Sequence, residues 1–137
     1  MENTSLASQD PSIALMDGQL QGLVVALRKE ERPLQGLAGK LDWHFEGAIS
    51  RYLKTGFLKG HAGEFSYLPI NRFGKVYHLL LVGTGAGPKD FSDSSLHSLQ
   101  KNLTSLKLER MGVSCEDWKS EAFTQALQKI SGVYLVR

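Results

Sequence analysis

The sequence predicts an α/β fold in which a mixed sheet lies between layers of helices. Three observations predict it. Runs with strand character alternate with runs at helical spacing along most of the chain. Leu20–Leu27 is an apolar run with little alternation, as expected of a strand covered on both faces, and Val76–Val82 is the most apolar run, six of its seven residues being apolar, which points to a central strand. Two longer segments, 41–56 and 91–111, instead carry apolar residues on one stripe at helical spacing.

Taken in order, residues 1–11 are polar and close on Asp10-Pro11, and they read as a frayed lead-in to a single domain over residues 12–137. Ile13–Met16 and Leu20–Leu27 flank Asp17-Gly18, a dipeptide that signals a hairpin turn. Arg28–Lys40, with its charges, Pro33, Gly36 and Gly39, reads as a loop. Asp42 is placed to cap a helix and Glu46 to sit favourably in its first turn, while Leu41, Phe45, Ala48, Ile49, Tyr52 and Leu53 form the stripe and Gly56 the stop.

Glu64–Ile70 reads as a strand, Asn71–Lys75 as a turn and Val76–Val82 as a central strand. The longest helix lies between Phe91 and Met111. Ser92 caps it, Phe91 and Leu96 staple the cap, Leu96, Leu99, Leu103 and Leu106 are buried, and Gly112 ends it. Val113–Cys115 is a short strand, a third helix runs from about 118 to 131, and Val133–Val136 closes the chain as a strand.

A length of 137 residues suits one domain with its own core, and 42% apolar with 22% charged residues is ordinary for a globular protein. A net charge of +2 argues against a dedicated nucleic-acid binder. The single cysteine, Cys115, excludes an internal disulfide and has no evident activating partner. No apolar run reaches the roughly 20 residues that span a bilayer. The N-terminus is polar and acidic, without a basic segment followed by an apolar one. A cytoplasmic location, with no membrane contact, is expected.

Several stretches resemble a known family. Leu41-Asp42, Gly47-Ala48-Ile49-Ser50-Arg51, Phe57-Leu58-Lys59-Gly60-His61-Ala62-Gly63-Glu64 and Leu80-Leu81-Val82-Gly83-Thr84-Gly85 look like the N-terminal domain of the leucyl (cytosol) aminopeptidase family. His61 departs from that pattern, which has lysine there. The resemblance is specific over residues 41–87 and rests on element order over about 20–137. It implies a macrodomain-like three-layer fold with a mixed, mostly parallel sheet flanked by helices. In the family a separate C-terminal domain holds two metal ions and an Asn-Thr-Asp-Ala-Glu-Gly-Arg motif, and nothing like that motif occurs in this sequence. The resemblance also implies a part in hexamer building and interdomain contacts.

Catalytic residues, metal ligands and a cofactor are accordingly not expected. Metallopeptidase chemistry needs carboxylates or histidines converging on a cation. His44, His61, His78 and His97 share no ligand spacing. Gly83, Thr84, Gly85 and Gly87 are the candidate ligand-binding residues, because a glycine-rich turn after a buried strand is where phosphate loops sit. Against this, Pro88 stands where the dinucleotide pattern asks for glycine, and the next helix starts late, near Ser92. Arg51, Lys54, Lys59, Arg72 and Lys75 form a basic group that reads as a solvated face. Trp118, Phe123 and Tyr134 offer an apolar patch if exposed.

The expectation is a non-catalytic, stand-alone module for binding, assembly or regulation, acting by self-association or on a protein partner. Two alternatives stand beside it: a macrodomain-like binder of a nucleotide or ADP-ribose, and an accessory subunit of a metal-dependent leucyl aminopeptidase.

Overall fold

The computed structural model describes residues 10–29, 34–56, 58–85, 92–107, 109–114, 125–127, 129–130 and 132–136. Their strands are β1 (Gly22–Leu27), β2 (Phe65–Arg72), β3 (Lys75–Gly83), β4 (Met111–Ser114) and β5 (Val133–Val136). They form one sheet in the order β2-β3-β1-β4-β5. Three pairings are parallel and one, β2 with β3, is antiparallel, so the sheet is mixed and mostly parallel.

β1 holds the middle place, with β3 and β4 on its two sides. The apolar run at 76–82 is therefore an inner strand but not the central one. Because successive side chains of a strand alternate, β1 feeds two cores. Leu23, Val25 and Leu27 pack with Leu79 and Leu81 on one face. Val24 packs with Leu80 and Val82 on the other. This is why both runs lack polar alternation.

The first face is covered by three helices, α1 (Pro11–Met16), α2 (Gly36–His44) and α3 (Ala48–Leu53). The second is covered by α4 (Asp93–Leu106), which buries Leu99 and Leu103 with Leu96 and Leu106 half-buried beside them. Ser92 caps α4 as expected, its hydroxyl accepting from the Ser95 amide at 3.1 Å. Lys107 ends it in the left-handed conformation, whereas Gly112 lies inside β4. Phe91 lies outside the described residues, and so does most of the expected helix at 118–131. Residues 125–127 are helical, with Leu127 fully buried.

The expected hairpin at Asp17-Gly18 is not formed, since residues 11–16 are helical. Asp10 explains why: its Oδ1 accepts from the Ser12 amide at 2.9 Å and caps a helix whose first residue is Pro11. The two residues assigned to a frayed lead-in thus begin the fold. Asp10 is also bound by the Lys40 ammonium at 2.7 Å, tying α1 to α2. Burial raises the Asp10 carboxyl, but Lys40 and Ser12 outweigh it and hold the pKa at about 2.

The segment read as a loop up to Lys40 becomes helix from Gly36 onward. The single helix expected over 41–56 is two helices. Glu46 (φ 55°) and Gly47 (φ 82°) are both left-handed and break it. Asp42 therefore caps no helix of its own. Its Oδ1 instead accepts from the Ser50 amide at 2.9 Å, in the first turn of α3. The apolar stripe survives the break, with Leu41, Phe45, Ile49 and Leu53 all buried.

Candidate functional site

The glycine-rich turn after β3 is built into the fold by its own backbone. The amide of Gly83 donates to the Glu64 carbonyl at 2.8 Å, that of Thr84 to Leu27 at 2.9 Å and that of Gly85 to Gly60 at 2.8 Å. The Thr84 hydroxyl, also buried, donates to the Leu27 carbonyl at 3.2 Å. A phosphate cradle works by aiming free amides at the ligand, and these three are committed within the chain. Gly87 lies outside the described residues.

Gly83 has a steric duty of its own. A Cβ there would stand 2.1 Å from the His61 carbonyl oxygen, so the turn at 59–64 lies directly on the strand end. Glu64 shapes that turn. Its Oε1 accepts from the amides of Lys59, Gly60 and His61 at 2.9, 2.8 and 2.9 Å, a nest of donors filled by the chain's own carboxylate. Burial pushes the Glu64 carboxyl up, but the three amides and His61 more than offset this and leave it below its ordinary value. The stretch Lys59-Gly60-His61-Ala62-Gly63-Glu64 is thereby a structural clamp over Gly83–Gly85.

A different surface stands out on the α2–α3 side. Trp43 is 79% exposed and Phe73 is 78% exposed. Trp43 projects from α2 away from the buried stripe, and Phe73 sits in the two-residue turn between Arg72 and Lys75 that joins β2 to β3. One ion pair links their neighbourhoods: the Arg72 guanidinium donates to Glu46 Oε1 at 2.5 Å, and its Cζ lies 5.0 Å from the centroid of the Phe73 ring. The Arg51 guanidinium also donates to the Glu46 carbonyl, at 2.6 Å. The expected basic face is thus partly consumed by Glu46. Beside Trp43 opens a cleft of about 730 Å³ whose walls include Leu34, Asp42, Trp43, His44, Glu46 and Ser50.

Sequence reasoning gave Trp43 no role, placed Phe73 in a turn and read Glu46 only as an acid favoured in the first turn of a helix. Two signals were available. Trp43 is a large aromatic on the polar side of a helical stripe, and Phe73 occupies a hairpin turn that favours Asn, Asp or Gly. Trp118 and Phe123 of the expected apolar patch lie outside the described residues, and Tyr134 is half-buried against the first core. Among the described residues no group of three or more His, Cys, Asp or Glu could hold a metal ion. Among them, too, no helix is long and apolar enough to cross a membrane.

The profile of the cytosol aminopeptidase family's N-terminal domain matches residues 23–132. The chain belongs to the cytosol aminopeptidase family. What matches is the N-terminal domain, and the clamp at 59–64 and the turn at Gly83–Gly85 lie inside it. A comparison with curated proteins returned no match.

Solved structures show the fold of this aminopeptidase N-terminal domain to be macrodomain-like. The macrodomain of Mycobacterium tuberculosis DarG is similar with a TM-score of 0.64 at 16% identity, over 89% of this chain and 90% of that one. That of Thermus aquaticus DarG gives 0.65 at 12% identity, over 96% and 95%. A mutant tomato leucine aminopeptidase gives 0.56 at 18% identity; the match covers 95% of this chain but 31% of the tomato chain.

Proposed function

We propose that this aminopeptidase N-terminal domain is a non-catalytic protein-binding module that serves in assembly or regulation. The observation that carries the reading is the strip Trp43–Glu46–Arg72–Phe73. Its two aromatics are the most exposed large apolar residues among those described. Trp, Arg and large aromatic rings are the side chains that dominate binding energy at interfaces. The strip also breaks a local rule. Phe73 takes a left-handed backbone (φ 53°) that costs a non-glycine residue about 1 kcal/mol, and it does so with its ring in solvent. Such local conflicts gather at functional surfaces.

The free edge of β2 is a poorer place for a partner. Arg72 pairs with Lys75 across a two-residue turn, and the Gly83 amide donates to Glu64 at the other end. That phase puts Pro69, which has no amide hydrogen, in the outward row, where it interrupts sheet extension.

Sedimentation velocity at micromolar concentration, with pull-down from the native host, tests the proposal. Self-association or a captured partner lost in a Trp43→Ala/Phe73→Asn double variant supports it. A monomer that captures nothing through this strip sinks it. The nucleotide alternative at Gly83–Gly87 has only the fold likeness in its favour, and heat on calorimetric titration with ADP-ribose would revive it. Hydrolysis of leucine p-nitroanilide by the purified chain with manganese or zinc would overturn the non-catalytic reading.

A further inference from the structure

The cleft beside Trp43 holds a carboxylate that no described residue pairs with in an ion pair, although the Arg51 guanidinium stands at its rim, donating to the Glu46 carbonyl. Asp42 accepts from the Ser50 amide at 2.9 Å and from the Ser50 hydroxyl at 2.5 Å, and both donors are uncharged. Among the described residues no lysine, arginine or histidine forms an ion pair with it. Two carboxylates, Asp42 and Glu46, belong to the described walls, which include no lysine or arginine. Glu46 already has Arg72 as its counter-charge. Among the described residues Asp42 is thus the carboxylate of the cleft without an ion-pair partner.

The remaining walls suit a cation carried on an alkyl stem. Trp43 offers the side chain that binds cations best through its ring face. The His44 ring packs against it in a T-shaped contact with centroids 5.5 Å apart. Gly39 and the small uncovered part of Leu34 complete the described wall. A volume of about 730 Å³ holds one long side chain with its flanking backbone.

We infer that this cleft receives the lysine or arginine side chain of a partner protein segment, with the Trp43 ring against the cation and Asp42 as its counter-charge. The inference rests on the protein-binding reading of this surface and adds the chemistry of the partner. It also separates the roles of the strip. Phe73 and Arg72 supply contact area, whereas Trp43 and Asp42 select charge.

The test is a titration of the full chain, followed by ¹H–¹⁵N NMR in 150 mM salt, with N-acetyl-arginine amide, tri-arginine and tri-glutamate. The arginine probes are expected to shift the Trp43 indole signal and the amides of residues 42–50, and tri-glutamate to leave them still. Asp42→Asn keeps an acceptor for Ser50 and removes the charge, so arginine binding should weaken by about fivefold to tenfold. Trp43→Leu, at a site too exposed to threaten folding, should weaken it similarly.

Arginine probes that leave these signals unmoved at millimolar concentration overturn the inference. So do equal shifts with tri-glutamate, or binding that is unchanged in both variants. The two readings fail separately. Association that depends on Trp43 and Phe73 but is unchanged in Asp42→Asn rejects the cation and keeps the protein-binding surface. Arginine binding in the cleft, with association unaffected by Trp43→Ala/Phe73→Asn, rejects the protein-binding surface and the partner segment with it, and keeps only the cleft's preference for a cation. A second copy of this chain as occupant agrees with the inference only if arginine competes with dimerisation and Asp42→Asn weakens it.

Discussion

Replacing Glu64 by alanine removes one oxygen that serves three amides, and the cost can be worked from their surroundings. The amides of Lys59 and His61 sit at exposed positions, where water can take over as acceptor. That of Gly60 is part-buried, and a Cβ on Gly60 would meet the Arg28 carbonyl oxygen at 2.7 Å, so its backbone has little room to reach water. A hydrogen bond to a charged group contributes about 1.5–3 kcal/mol net when water cannot replace it. Counting the Gly60 bond nearly in full and the others at a fraction gives a loss of about 2–3 kcal/mol.

For a domain of this size that lowers Tm by roughly 3 °C per kcal/mol, or about 6–9 °C in a calorimetric or circular-dichroism melt. Glu64→Gln keeps an acceptor oxygen and loses only the charge, so about 1 kcal/mol is expected. The pH dependence has a definite sign. The folded Glu64 carboxyl lies below its ordinary value of 4.5. Its contribution is therefore complete above about pH 4.5 and is lost as pH falls through the lower folded value. The difference in Tm between wild type and Glu64→Gln should hold at pH 6–8 and shrink toward pH 3. A Glu64→Ala variant that melts within 1 °C of wild type, or a difference that does not change with pH, would refute the reasoning.

Other substitutions probe separate parts of the structure. Gly83→Ala would drive a methyl to 2.1 Å from the His61 carbonyl, a backbone atom that cannot swing aside, and should cost about 3 kcal/mol or more in urea unfolding. Phe73→Asn, placing a residue that tolerates a left-handed backbone at an exposed turn, should stabilise the isolated chain by about 0.5–1 kcal/mol and, on the proposed reading, weaken association through the strip. Asp10→Ala should cost about 1 kcal/mol through loss of the α1 cap, against less than about 0.5 kcal/mol for Lys40→Ala, because the Lys40 side chain is 57% exposed. With its pKa held at about 2, the Asp10 contribution should persist through mild acid and be lost only as pH falls toward 2.

The layered fold was legible because alternation of polarity, or its lack, is a local property that survives translation into structure. β1 reads as a doubly covered strand and is one, β3 is covered on both faces from Leu79 onward while Val76 at its start is exposed, and the stripes of residues 41–53 and of α4 are buried. Local capping was legible where donor and acceptor are close in the chain, as at Ser92. Where a signal had two readings, tertiary context chose. Asp17-Gly18 suits a hairpin, yet Asp10 with Pro11 starts a helix just before it, and packing beside β1 favours that helix.

Family membership and its signature were also readable, since Gly60, Gly63, Glu64 and Gly83 are spaced in the sequence as the motif requires. The duties of those residues were not. Glu64 binds amides three to five residues away, but the clamp it makes acts on Gly83 and Gly85, about twenty residues further along, and only the β2–β3 pairing brings them together. The same holds for the exposed strip. Glu46 and Arg72 come from different segments, and nothing in their spacing predicts that an ion pair across 26 residues joins them. Local polarity and turn chemistry act between near neighbours and so can be read from sequence; the clamp and the strip arise where distant segments meet, and only the folded chain decides that.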